Sequence, residues 1–142
     1  MAIATRTLKD TAIATGSGAA GGKVTVLVNM NDNTTADSLV VDASALAGHA
    51  NGAKLDITRI WWALIQGTAD DNTGHVQLQF KGASSDTVAI QLAGTGHYDG
   101  TAGKITNNAT NTTATSGDLE LTALGTSGSV IIELRKDESF TA

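Results

Sequence analysis

The sequence predicts an all-β, single-domain protein: a β-sandwich of jelly-roll or Greek-key type with an extended N-terminal arm. Three observations lead there. Apolar residues recur with period 2 in short runs, and no segment keeps helical spacing over a dozen residues. Clusters of Gly, Asn, Asp and Ser separate these runs at regular intervals, as in sandwiches and barrels. The chain has 142 residues and neither cysteine nor proline. That length supports one hydrophobic core without disulfides, and the turns must come from Gly, Asn, Asp and Ser.

Residues 1–22 form the arm. It is rich in Thr and Ala and ends in GSGAAGG, which reads as a flexible hinge. Ile3, Thr5 and Thr7, then Ala12 and Ile13, have the rhythm of a short strand. Two readings stay open: a frayed terminus, or an arm laid on a neighbouring subunit with Ile3, Leu8 and Ile13 as its apolar contacts. Residues 23–142 form the sandwich domain. Lys23 to Met30 alternates cleanly, with Val24, Val26, Val28 and Met30 facing one way. NDNTTADS (31–38) reads as a turn cluster before a second strand, Leu39 to Ala43. Asn51-Gly52 is the strongest two-residue turn signal.

LDITRIWWALI, Leu55 to Ile65, is the longest apolar-rich run and holds both tryptophans. Strand geometry puts Ile57, Trp61, Ala63 and Ile65 on one face and Ile60, Trp62 and Leu64 on the other. Apolar residues on both faces imply a central strand covered twice, or one face on the core and the other on a partner. His75 to Lys81 turns Val76, Leu78 and Phe80 inward, and Thr87 to Leu92 turns Val88, Ile90 and Leu92 inward. Gly94 to Gly117 is a long, polar, irregular stretch, of the kind that carries function or moves. Asp118 to Leu124 and Ser129 to Arg135 close the domain, joined by Gly125-Thr126-Ser127-Gly128 read as a tight hairpin. KDESFTA is a short tail.

Composition narrows the function. A net charge of -5 with dispersed Lys and Arg argues against nucleic acid and against anionic membranes as partners. The opening residues lack the basic and apolar regions of a signal peptide, and no apolar run approaches a membrane span. Synthesis in a cytosol is therefore expected.

No segment carries a catalytic pattern, and no enzyme activity, metal or cofactor is expected. Asp70-Asp71-Asn72 with His75 lacks the alternating spacing and distal glutamate of a calcium loop, so an Asx-type turn is the simpler reading, and the same holds for Asn29 to Asn33. His97, Tyr98 and Asp99 share a Gly-flanked loop, but an Asp two residues after a His gives no oriented base; a packing or contact role suits Tyr98 better. His49 stands apart. The Asn-x-Thr triplets at Asn33, Asn108 and Asn111 are chance matches in an Asn/Thr-rich chain, and Gly94-x-Gly96 marks turns, since no helix follows it. A shallow sugar-binding surface on the Gly94 to Gly117 loops is the competing non-enzymatic reading, with Tyr98 as its aromatic.

The C-terminal half runs IWWALIQG, HVQLQF, AIQLAGTGHYD, KITNNAT, GDLELTALG and SVIIELRK. This ladder, from about Leu55 to Lys136, resembles small virion structural proteins of tailed, particularly marine, bacteriophages. The resemblance implies a non-enzymatic capsid decoration (cement) protein of the virion, bound to the major capsid protein or other virion proteins and homo-oligomeric, with a trimer as the expected state. It also implies a role for N-terminal arms in assembly. One tryptophan, Trp61 or Trp62, is left needing cover outside a single sandwich core. Burying an indole removes about 150–250 Å² from water, worth several kcal/mol at ~25 cal/mol per Å². Either a subunit or capsid contact or the loop Ala45 to Ala53 would supply that cover.

Overall fold

The computed structural model describes residues 3–11, 22–46, 54–66, 74–82, 85–108 and 118–136. Among these residues seven strands make one antiparallel sheet: β1 (Ala4–Asp10), β2 (Lys23–Val41), β3 (Leu55–Gln66), β4 (His75–Phe80), β5 (Thr87–Ala93), β6 (Thr95–Tyr98) and β7 (Leu119–Lys136). Among the described residues a single 3-10 turn, Ala43–Ala45, interrupts the β structure. The all-β prediction therefore holds. No helix among the described residues is long and apolar enough to cross a membrane.

The strand order is β1-β2-β7-β3-β6, and β4 pairs with both β7 and β5. Long β7 is the axis. Its C-terminal part pairs with β3 through Leu55↔Lys136 to Gln66↔Thr126, and its N-terminal part pairs with β4 through His75↔Leu124 to Phe80↔Leu119. β3 and β4 thus lie end to end along one edge of β7. On the other edge β2 follows β7 through both parts, from Lys23↔Arg135 to Val41↔Leu119.

Two predicted chain reversals are absent. NDNTTADS does not turn the chain: β2 continues through it with register shifts between Met30 and Ser38, and Asp32 and Asp37 take positive φ of 52° and 50°. Gly125 to Gly128 is likewise no hairpin; it is a bend inside β7, with Gly125 and Gly128 at φ 47° and 125°. Turn-forming residues at these places supply bulges, because both flanking segments pair with the same neighbour and cannot reverse. Side chains replace the missing ladder bonds. Asn33 Oδ1 accepts from Asn31 N–H (2.8 Å), Ser127 Oγ from Asp32 N–H (2.8 Å) and Thr34 Oγ1 from Gly125 N–H (3.0 Å).

The core is one contiguous cluster. It takes Val24, Val26, Val28 and Met30 from β2, Leu55, Ile57, Ile60 and Leu64 from β3, and Val76, Leu78 and Phe80 from β4. β7 adds Leu119, Leu121 and Ala123 before the bend and Val130, Ile132 and Leu134 after it. Two bulges shift the faces predicted from strict alternation. The register slips between Ile57 and Arg59, so Thr58 is the extra residue and Ile57 joins Ile60 in the core instead of the Trp61 face. A slip between Leu78 and Gln79 sets Val88 opposite outward-facing Gln79, leaving Val88 47% exposed rather than inward.

The arm's Ala4–Asp10 segment forms the edge strand β1 on its own chain's β2, with every residue exposed. Asp10 Oδ1 reaches Lys136 Nζ at 2.6 Å, and the Lys136 side chain is fully buried. Residues 16–21 of the GSGAAGG hinge, Ile13, His49, Asn51-Gly52 and Asp70 to Asn72 lie outside the described residues.

Candidate functional site

Alternation along β3, β7 and β2 leaves an outer face opposite the core. The register lines up Arg6, Leu27, Ile131, Trp61 and His97 in one row across five strands. At about 4.8 Å per strand that row spans roughly 19 Å. Its middle three residues are apolar and only partly buried. A shallow groove of about 330 Å³ opens beside them, lined by Trp61, Trp62, Ala63, Thr95, Gly96, Ser129 and Ile131. Ile65, two positions beyond Ala63 on the same strand, is 67% exposed.

The two tryptophans divide between the faces. Trp62 packs against the core, and its Nε1–H donates to the Ala93 carbonyl at 3.0 Å. Gly96, directly opposite, leaves room for that ring: a Cβ there would sit 2.3 Å from an indole carbon. Cover for Trp62 thus includes β5 and β6. Trp61 points outward and stacks on His97, with ring centres 5.4 Å apart and planes 13° from parallel. An offset pair of this kind forms a flat, rigid aromatic plate.

The other singled-out residues do not join this plate. Tyr98 lies on the core side opposite Ile60, and its hydroxyl donates to the Gly103 carbonyl, closing the loop that follows β6. Ile3 packs against the core from the arm, and Leu8 is exposed at a bulge in β1. His97 and Asp99 form no acid-base couple. Asp99 accepts the Thr101 N–H at 2.9 Å, and its carboxyl is lowered first by bonding to Thr101 and only weakly by His97.

One pattern in the charge row was invisible along the chain. Rows of Thr25, Glu133 and Arg59, then of Lys23, Arg135 and Asp56, lie next to the Trp61 row. The loop 99–108 runs alongside them at the β3 edge. Ile57 and Ile105 exchange two backbone hydrogen bonds (2.9 and 2.7 Å), and Asp56 accepts from Asn107 N–H (3.0 Å) and pairs with Lys104 (2.9 Å). What sequence reasoning missed was the bulge at Thr58, which a single extra residue hides from any period count.

On the other part of the sheet, Asp37, Asp86 and Glu120 bring carboxylate oxygens within 4.8 Å of one another, the one such acidic trio among the described residues. Glu120 is only 7% exposed. Burial, then its hydrogen bond with Asp86, pushes its carboxyl up to about 7; Lys81 works against the rise. Protonation of Glu120 relieves part of the mutual repulsion within the trio.

No family model matches the chain, and no curated protein or solved structure matches it.

Proposed function

We propose that this chain is a non-enzymatic structural protein of a tailed-phage virion, a decoration (cement) protein that attaches to the major capsid protein lattice by its outer sheet face. The observation that carries this reading is the Leu27–Ile131–Trp61 row with its groove: a flat apolar patch on rigid strands, bounded by charge, as at protein contact surfaces. Repeated weak attachment to a lattice sums through avidity, so each copy needs no deep pocket. The fold in this reading is a β-sandwich of jelly-roll type, in which the two parts of the sheet joined by β2 and β7 pack face to face. The single core cluster drawn from both parts supports that arrangement. Self-association as a trimer belongs to the same reading, with Ile3, Leu8 and the open edge of β1 as contacts.

Size exclusion with light scattering, followed by co-sedimentation with empty phage heads, tests it. A saturating stoichiometry on heads, reduced by Trp61→Ser, is expected. A monomer that stays in the supernatant refutes the decoration role.

A carbohydrate-binding module of a head or tail fibre is the second reading, favoured by the Trp61–His97 plate beside an open groove. A glycan array distinguishes it: binding lost on Trp61→Ser but kept on Tyr98→Phe would shift the function there.

A further inference from the structure

We infer that the hollow between the charged rows of the outer face and the 99–108 loop is a binding site for an oxyanion group, a carboxylate, sulfate or phosphate, gripped by Arg59 and Arg135. The hollow has a volume of about 320 Å³, and Lys23, Arg59, Lys104 and Arg135 all line it. Four of the chain's nine Lys and Arg residues therefore meet at one place in a protein of net charge -5. Dispersed charge was the expectation from sequence; folding gathers it.

The acids around the hollow leave the guanidinium groups available. Asp56 is buried and engaged with Lys104 at 2.9 Å. Glu133 takes its closest bond from Thr58 Oγ1 at 2.9 Å. Its contacts with Lys23 Nζ (3.7 Å) and Arg59 Nε (4.0 Å) lie at the long edge of ion pairing, and the latter uses a side nitrogen rather than the terminal fork. Asp99 bonds back into its own loop at Thr101. Arg135 has no carboxylate within ion-pairing distance among the described residues. Two arginines lining one hollow offer planar guanidinium forks that suit a bidentate oxyanion, which an ammonium group does not.

The walls are built in advance. Gly100 sits at φ +84° with its backbone so close to the Thr58 carbonyl that a Cβ would approach to 2.6 Å. The Ile57–Ile105 bonds, the Asn107–Asp56 bond and the Tyr98 hydroxyl fix the loop at both ends. Preorganised walls lower the ordering cost of holding a small anion. A network that merely fastens the loop would need Lys104 and Asp56 but neither arginine.

The anion can be a free ion or an acidic side chain of a macromolecule. The Trp61 row lies one alternate residue along the strand, roughly 7 Å away, so a partner resting on Trp61 could place a carboxylate in the hollow. The site does not depend on the virion reading.

The test is a 1H–15N NMR titration of the whole chain with sodium sulfate, against sodium chloride at matched ionic strength, and in parallel with acetylated diglutamate. Saturable shifts at the Gly100, Thr101 and Lys104 amides are expected with sulfate and not with chloride. Arg59→Gln with Arg135→Gln should weaken the binding at least tenfold, since each charge-assisted bond lost is worth about that factor. Arg135→Gln alone, at an exposed position, serves if the double variant loses its dispersed spectrum. Tighter binding of diglutamate assigns the site to a protein carboxylate, and tighter binding of sulfate to a free oxyanion. Shifts that rise linearly, that chloride reproduces, or that survive the arginine changes overturn the proposal.

Discussion

Glu120→Gln should stabilise the protein above neutral pH and leave it unchanged in acid. Glu120 projects from the outer side of β7 between Gln79 of β4 and Leu39 of β2, with Asp37 and Asp86 closing around it. Its carboxyl titrates at about 7 when folded, raised from 4.5. The folded protein thus holds a proton that the unfolded chain has released between those values. The linked stability is fully present below about 4.5 and is lost as pH rises to about 7, then stays flat. A rise of that size corresponds to about 3 kcal/mol at ~1.36 kcal/mol per unit. The neutral amide keeps a hydrogen-bonding group in place and removes the ionisation, so about 2–3 kcal/mol should return at pH 8. Urea unfolding followed by tryptophan fluorescence at pH 4, 6 and 8 measures it. Because other carboxylates titrate too, the quantity that matters is the difference between variant and parent. A difference independent of pH, or a variant less stable at pH 8, refutes the account of the acidic trio.

Three further outcomes follow from geometry. Trp62→Ser should cost about 3 kcal/mol or more, from lost core contact and the broken bond to Ala93, while Trp61→Ser should lower the melting temperature by only a few degrees; equal losses would show that both rings serve the core. Gly128→Ala should prevent stable folding at 37 °C, since its Cβ would lie 2.0 Å from the Ala63 carbonyl oxygen at a φ of 125°; a far-ultraviolet dichroism melt matching the parent contradicts this. Asp10→Ala should destabilise the protein by removing the carboxylate that Lys136 Nζ meets at 2.6 Å, and Lys136→Met with Asp10→Ala should recover part of the loss. Denaturant midpoints of the single and double variants decide the point. Removing residues 1–22 would therefore cost stability through Asp10 as well as any assembly contacts.

Period-2 alternation made most of the strands legible, and the inward faces of Lys23–Met30 and His75–Phe80 read correctly because no extra residue intervenes there. The errors share one cause. At Thr58 and opposite Gln79 a bulge changes which face follows, and at 31–38 and 125–128 turn residues serve bends within a strand that stays paired. Whether Gly and Asn reverse a chain or merely bend it depends on what lies alongside, and that is a long-range fact. β6 was hidden for a similar reason: Thr95 to Tyr98 is too short and polar to announce itself, and pairs because β3 offers it an edge. The oxyanion hollow and the acidic trio are assembled from segments far apart in sequence, so no spacing rule could have found them.

The passage of β2 and β7 through both parts of the sheet has a mechanical meaning. Neither part can peel away without breaking strands that also hold the other, so there is no weak seam where a subdomain could open alone. Unfolding should then occur as one event, with hydrogen exchange in the central residues of β7 governed by global rather than local opening. A sheet stitched in this way transmits load along its two longest strands from one end to the other, and shares it across the whole ladder instead of concentrating it at a hinge.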